Sequence, residues 1–339
     1  MKCYNCKREL PPTGGVCPAC GQRVYTTAGS ANAMRGRRLD GCLPPVDSPK
    51  DFRAVPNLQG LPRTVDLRPE CTPVEDQGQV GSCTANAAVG ALEFQRRREG
   101  KPNVDLSRLF VYYNSRKMTG RDREDCGATI AQCMAALLAF GTPAETSWPY
   151  DPGSVYTAPP PQVFDEALGN TPREYAKVEG LEHVKGALAR HQPVVFGTSL
   201  PERCFEEAGK TGVMPTPTAA EVEDAAQRGG HAMLLVGYDA GARTFIVRNS
   251  WGPTWGQGGY CTMTFETFEG TRAATTSWVL GNLEASGNFT VRRPAIVAPS
   301  VQGSVKDMAA KMREEIRGSL NKDLNDALRD VKQRFTPRG

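Results

Sequence analysis

From Leu61 to about Leu283 the chain carries periodic apolar blocks separated by Gly and Pro, the pattern of one folded domain. Residues 83–99 set small and apolar side chains at helical spacing and run into Gly100, which predicts a helix with a glycine stop. TIAQCMAALLAFG predicts a second helix ending at Gly141, and LEHVKGALARH a third. PVVFGTSL is a short apolar run between breakers and predicts a buried strand. In HAMLLVGYDAGARTFIVRNSWG two strand-like runs flank the turn-prone DAGA, which predicts a hairpin.

The flanks read differently. Residues 1–25 form a cysteine module, and residues 26–60 are rich in Gly, Pro, Ser and Arg without a sustained period, so they predict an extended connector. Residues 61–289 make the main domain and 290–304 a linker. In 305–339, Met308, Met312, Ile316, Leu320, Leu324, Leu328, Val331 and Phe335 recur every three or four residues, one apolar stripe on a helix. Gly318 weakens that helix by about 1 kcal/mol relative to Ala, against a long autonomous coiled coil. The expectation is a helix that docks on this protein or on a protein partner, with an anionic membrane surface as the alternative.

Composition narrows the class. The chain has 339 residues, 39% hydrophobic and 23% charged, as soluble globular proteins do. No run of 18 apolar residues occurs, and MKCYNCKREL offers no secretory apolar stretch, so the expected location is the cytoplasm. The net charge of +4 does not by itself argue for nucleic acid. Residues 291–339 hold eleven basic and six acidic residues, so the tail alone accounts for the positive balance.

The eleven cysteines change the picture, because a reducing compartment favours metal ligation, catalysis or packing over disulfides. Cys83 follows Gly78, Gly81 and Ser82 and opens the first predicted helix. The amides and dipole of a helix start lower a thiol from roughly 8.5 toward 3.5–7.5. A base must come from three histidines. His183 and His191 read as surface or packing residues, whereas His231 follows Gly229 and Gly230 and opens a buried strand. A hairpin turn centred on Ala240 would set His231 opposite Asn249, whose side-chain oxygen could orient the imidazole toward a thiol. Gln77, six residues before Cys83, could join the Cys83 amide in donating to an oxyanion.

DQGQVGSC, GGHAMLLVGYD and VRNSWGPTWGQGGY, in that order, resemble the papain-like, C1-type cysteine peptidases. PRTVDLRPECTPVEDQG and DCGATIAQCMAALLAFGTPAETSWPYD extend the resemblance over about residues 61–283. His231 and Asn249 lie 148 and 166 residues after Cys83, against roughly 130–150 for the family. The resemblance implies an α+β, two-lobed fold with a helical lobe, a β-barrel-like lobe and a cleft between them. It further implies a peptide or protein substrate, no catalytic cofactor, Cys83 as nucleophile, His231 as acid/base, Asn249 as its orienter and Gln77 as oxyanion donor. Trp251 would shield the Asn–His bond and Gly127 would bind substrate backbone. Three positions depart from the pattern. Val80 replaces a cysteine, which leaves Cys126 without its implied disulfide partner; Thr84 replaces a common Trp, and Gly230 a common Asp. The short connector resembles that of bacterial, xylellain-like members, and residues 40–60 are expected to cover part of the cleft. A catalytically silent binding module and an acyl-transferase remain the alternatives.

Cys3, Cys6, Cys17 and Cys20 have the paired spacing of a four-thiolate zinc ribbon, and so short a segment could bury no adequate core without the metal. Redox-active thiols are the alternative for paired C-x-x-C motifs. The ribbon is expected to meet a protein partner. Its few aromatics and modest charge argue against nucleic acid.

Overall fold

A computed structural model gives the fold, and it describes residues 15–16, 23–24, 37–45, 51–293 and 314. The ligand set Cys3, Cys6, Cys17 and Cys20 lies outside these residues, as does the expected helical tail apart from residue 314. Gly15–Val16 (β1) and Arg23–Val24 (β2) form a short antiparallel ladder. Among the described residues no cluster of three His, Cys, Asp or Glu could hold a metal, and no helix is long and apolar enough to cross a membrane.

The helices are α1 (Cys83–Arg98), α2 (Arg108–Lys117), α3 (Ile130–Phe140), α4 (Pro161–Ala167), α5 (Leu181–Ala189), α6 (Glu202–Thr211), α7 (Ala219–Gln227) and α8 (Phe265–Glu269). The strands are β3 (Arg53–Pro56), β4 (Thr64–Asp66), β5 (Glu174–Lys177), β6 (Val194–Thr198), β7 (His231–Asp239), β8 (Thr244–Arg248), β9 (Tyr260–Thr264), β10 (Trp278–Gly281) and β11 (Phe289–Arg292). They form one sheet in the order β11-β3-β5-β10-β6-β7-β8-β9, with β4 also on β7. The ladder of β3 with β11 draws residues from the expected connector and linker into this sheet. Four-residue strands are too short to show a period in sequence.

Helix α1 packs against β7, β6 and β10, and every residue from Cys83 to Phe94 is buried. A helix buried all round needs small side chains, which explains the run of Ala and Gly after Cys83. Arg96, Arg97 and Arg98 then complement the carbonyl end of its dipole. Helix α3 begins with a capping box in which the Thr129 side chain accepts from the Gln132 amide and Gln132 accepts from the Thr129 amide. It ends at Gly141, with φ 67° and ψ −151°.

Buried polar groups bind helices to strands. Arg108 pairs with Glu93 at 2.8 Å, with both side chains at most 3% exposed. Thr72 donates to Glu93 at 2.6 Å, and Arg248 at the end of β8 donates to Thr72 and to the Pro73 carbonyl. This chain fixes the stretch before α1 to the strand that leads into Asn249.

Gly141 is a sharp test of the packing. A Cβ there would lie 2.0 Å from the Ala167 carbonyl oxygen, on backbone that favours glycine. Gly141→Ala should cost at least about 1–3 kcal/mol, read as a lower urea midpoint at unchanged slope.

Candidate active site

Cys83 is the first residue of α1, behind Ser82, and is fully buried. His231 is the first residue of β7 and is 1% exposed. α1 lies along β7, so one side chain enters the site from a helix and the other from a strand of the sheet. The backbone amide of Ala232, next to His231, lies on the Cys83 side and opposes the rise of the thiol's pKa.

His231 donates from Nε2 to Asn249 Oδ1 at 2.8 Å. That bond puts the proton on Nε2 and leaves Nδ1 as a buried acceptor without a partner among the described residues. The expected strand register is corrected. Leu234 pairs with Arg248 and Leu235 with Val247, so extending the ladder would bring Trp251, not Asn249, opposite His231. The cause is the turn: Asp239, which accepts from the Gly241 and Ala242 amides, pairs with Thr244, so the turn is centred beyond Gly241 rather than on Ala240, and the bulge between Leu235 and Gly237 recovers one residue of that shift. Asn249 reaches the imidazole because the ladder stops at Arg248 and its own amide donates to Gly259 instead.

Trp251 is 1% exposed and its ring lies 4.7 Å from the His231 ring. Phe205 of α6 meets His231 edge-on at 5.5 Å, and Trp255 stands edge-on to Trp251 at 5.7 Å. Sequence reasoning missed Phe205 and Trp255. The apolar side of the amphipathic segment 202–211 was the available signal for the first.

Gln77 is fully buried. Its amide nitrogen donates to the Val80 carbonyl at 2.9 Å, and its oxygen accepts from the Ser250 hydroxyl at 2.5 Å. Tyr150 donates to the Gln77 carbonyl at 2.9 Å. Gln77 is thus tied through Ser250 to the loop that carries Asn249 and through its carbonyl to Tyr150, two contacts that the sequence did not reveal. His183 and His191 stand apart, against the Glu179 carbonyl and beside Arg98 and Glu70 respectively.

Residues 37–45 lie across the cleft. On one wall the Gly41 carbonyl accepts from the Ala128 amide at 3.0 Å and the Leu43 amide donates to the Ala128 carbonyl at 3.0 Å. On the other wall the Cys42 amide donates to the Gly230 carbonyl at 2.8 Å, and Arg272 donates to the Cys42 carbonyl at 3.0 Å. Arg37 pairs with Asp76 and Arg38 with Asp125 at 2.7 Å, which clamps the segment at its start. A Cβ on Gly41 would sit 3.0 Å from the Cys83 sulfur and 2.8 Å from the Gly81 carbonyl oxygen. Only glycine lets the chain lie so close over the thiol. Gly127, with φ 76°, faces the same segment, and a Cβ there would be 2.5 Å from the Gly41 carbonyl oxygen. The backbone that the resemblance implied would hold substrate touches the connector instead.

This cover decides the protonation states. Burial pushes the Cys83 thiol well above its ordinary range, with nearby Cys42 adding to it and the Ala232 amide opposing. The lowering expected of a helix-start cysteine is therefore overridden while the cleft is closed. Burial also draws His231 down to about 4, helped by the Arg37 cation and opposed by the Asn249 bond. Closed, the pair is a neutral thiol and a neutral imidazole. Cys126 is a free cysteine, in keeping with Val80 at the position of its implied partner.

The papain family cysteine proteases match residues 61–277. The chain is 33% identical over 251 residues to an uncharacterised peptidase C1-like protein of Acanthamoeba polyphaga mimivirus, covering 68% of this chain and 79% of that one. It is 32% identical to cathepsin K of Gallus gallus over 67% of this chain and 65% of the relative. Among solved structures it resembles xylellain, a cysteine protease from Xylella fastidiosa, at a TM-score of 0.64 and 33% identity, covering 72% of this chain and 98% of that one. A thiol at a helix start, an imidazole at a strand start and that extent of similarity together make this chain a member of the papain family of cysteine proteases.

Proposed function

We propose that the protein is a latent cysteine endopeptidase in which Cys83, His231 and Asn249 form the catalytic triad. The observation that carries the reading is the His231–Asn249 bond, which frees Nδ1 for the thiol of a buried, helix-start cysteine. Once the cleft opens, water and the helix dipole favour the thiolate, and His231 takes its proton. Cys83 attacks a peptide carbonyl and His231 protonates the leaving amine. Water then hydrolyses the thioester, with His231 as base. The oxyanion is held by the Cys83 amide and by the Gln77 amide hydrogen not used by Val80. Trp251 keeps water from the His231–Asn249 bond, and Gly127 and Ala128 bind substrate backbone. Residues 37–45 are the cover that keeps the enzyme silent, because Gly41 occupies the space over the thiol.

The four N-terminal cysteines support a structural zinc site by donor chemistry alone: four thiolates in two close pairs suit tetrahedral Zn²⁺. Its place in this reading is to recruit a protein partner, as is that of the C-terminal stripe; the location would be cytoplasmic.

Three outcomes follow. Peptide cleavage should be lost in Cys83→Ala, fall about 10²–10³-fold in kcat in Gln77→Ala, and rise at least tenfold in a chain starting at Pro45, which keeps β3. A wild type that never cleaves while folded would favour the silent binding module, and amine adducts in place of acids the acyl-transferase. His231 supplies a pH signature. Its value of about 4 lies below its ordinary 6.5, so between these the unfolded chain binds a proton that the folded chain does not. Stability should therefore fall as the pH drops through that window, and His231→Gln should flatten the loss in thermal midpoint. Purified protein should carry about one zinc per chain by elemental analysis, lost when Cys3 and Cys6 become Ser.

A further inference from the structure

One cation in the cleft has no assigned role. Arg272 sits in the short turn after α8 and reaches the cleft wall at Gly230. A Cβ on Gly230 would lie 1.7 Å from Arg272 Nη2, so the guanidinium occupies the room a side chain at position 230 would take. This explains why a glycine stands where the resemblance implied an aspartate. The wall beside the imidazole carries a positive charge where that side chain would have placed a negative one.

The bonds of Arg272 are incomplete in a particular way. Nη2 donates to the Cys42 carbonyl, while Nε is buried and has no hydrogen-bond partner among the described residues. Nε and Nη2 form one edge of the guanidinium, the edge that takes both oxygens of a carboxylate in parallel. Arg38 shows that pairing in this same structure, with Nε to one Asp40 oxygen at 2.8 Å and Nη2 to the other at 2.9 Å. A lone carbonyl oxygen uses half of such an edge and leaves Nε without a partner among the described residues. The partner it does have belongs to the cover and leaves with it. Cys42 also shows where an occupant's side chain goes. Its sulfur lies 2.8 Å from the place of a Gly197 Cβ, a place that Ile130 and Thr276 also approach, to 3.4 and 3.5 Å.

We propose that Arg272 is a specificity-determining residue of the open enzyme, which binds the carboxylate of an Asp or Glu in the substrate residue adjacent to the one seated over Cys83. The inference rests on the peptidase reading for its meaning in catalysis, but not for the binding itself. An acidic side chain entering the Cys42 pocket would satisfy Nε and Nη2 together, whereas the cover satisfies only one of them. Substrate acidity thereby helps displace the cover.

The test uses the full chain with Cys83→Ala, so that binding is read without hydrolysis. Fluorescently labelled peptides carrying Glu, Gln, Leu or Lys at either neighbour of a fixed central residue are titrated and followed by anisotropy. A Glu peptide should bind at least tenfold more tightly than its Gln counterpart. That preference should vanish in Arg272→Gln, return in part in Arg272→Lys, and weaken with salt. Equal binding of Glu and Gln peptides, a preference that survives Arg272→Gln, or failure of every peptide to bind would overturn the proposal. Wild-type cleavage is measured beside it. Hydrolysis without acid preference removes the subsite and leaves the peptidase, and acid preference without hydrolysis does the reverse.

Discussion

The site exists only because helix α1 lies along strand β7. Its thiol comes from the helix and its imidazole from the strand, so their meeting is a packing result before it is a chemical one. The helix can approach because its first three turns are nearly all Ala, Gly and other small residues, all of them buried. The polar chain Arg248–Thr72–Glu93–Arg108 then holds α1 and α2 to the end of β8. Breaking one member would strand a charge in low dielectric, which is why such chains fix an arrangement more than they stabilise it.

In the proposed reading the cover acts by desolvation. It places a glycine over the thiol and removes the water that a thiolate–imidazolium pair needs, so both groups are neutral in the closed state. No distortion of the triad is required, since the His231–Asn249 bond is already formed. Latency in this account is a matter of solvent access, with the catalytic geometry kept ready underneath. The arginine clamps Arg37–Asp76 and Arg38–Asp125 are partly exposed, so each contributes modestly and is open to competition.

Much of this was legible in the sequence because the informative residues are punctuated locally. Ser82-Cys83 starts α1, Gly141 ends α3, and Gly229-Gly230-His231 opens β7, each as the local signals required. Other features arise from long-range placement. The β3–β11 ladder joins residues 53–56 to 289–292, which no local period reports. The hairpin register failed at the turn, whose centre lies beyond Gly241 rather than on Ala240, a placement that sequence spacing does not reveal. Phe205 and Arg272 reach the site from other turns of the chain. Arg272 in particular is explained only when Gly230 is seen to make room for it. Residues 40–60 were expected to cover part of the cleft; residues 37–45 do so, whereas Arg53–Pro56 pair with β11 in the sheet, and the seating of Gly41 on the sulfur was not expected.

The most direct test of this account is site-resolved alkylation of Cys83 with limiting iodoacetamide at pH 5–6, followed by mass spectrometry. The full chain is compared with one carrying Arg37→Ala and Arg38→Ala, each with and without His231→Ala. The account predicts that Cys83 is inert in the full chain. With the clamps removed it should react ahead of the partly exposed Cys71 and Cys126, and lose that lead without His231. Equal, slow alkylation of all three thiols in the unclamped chain would contradict it, since no thiolate–imidazolium pair would then lie beneath the cover.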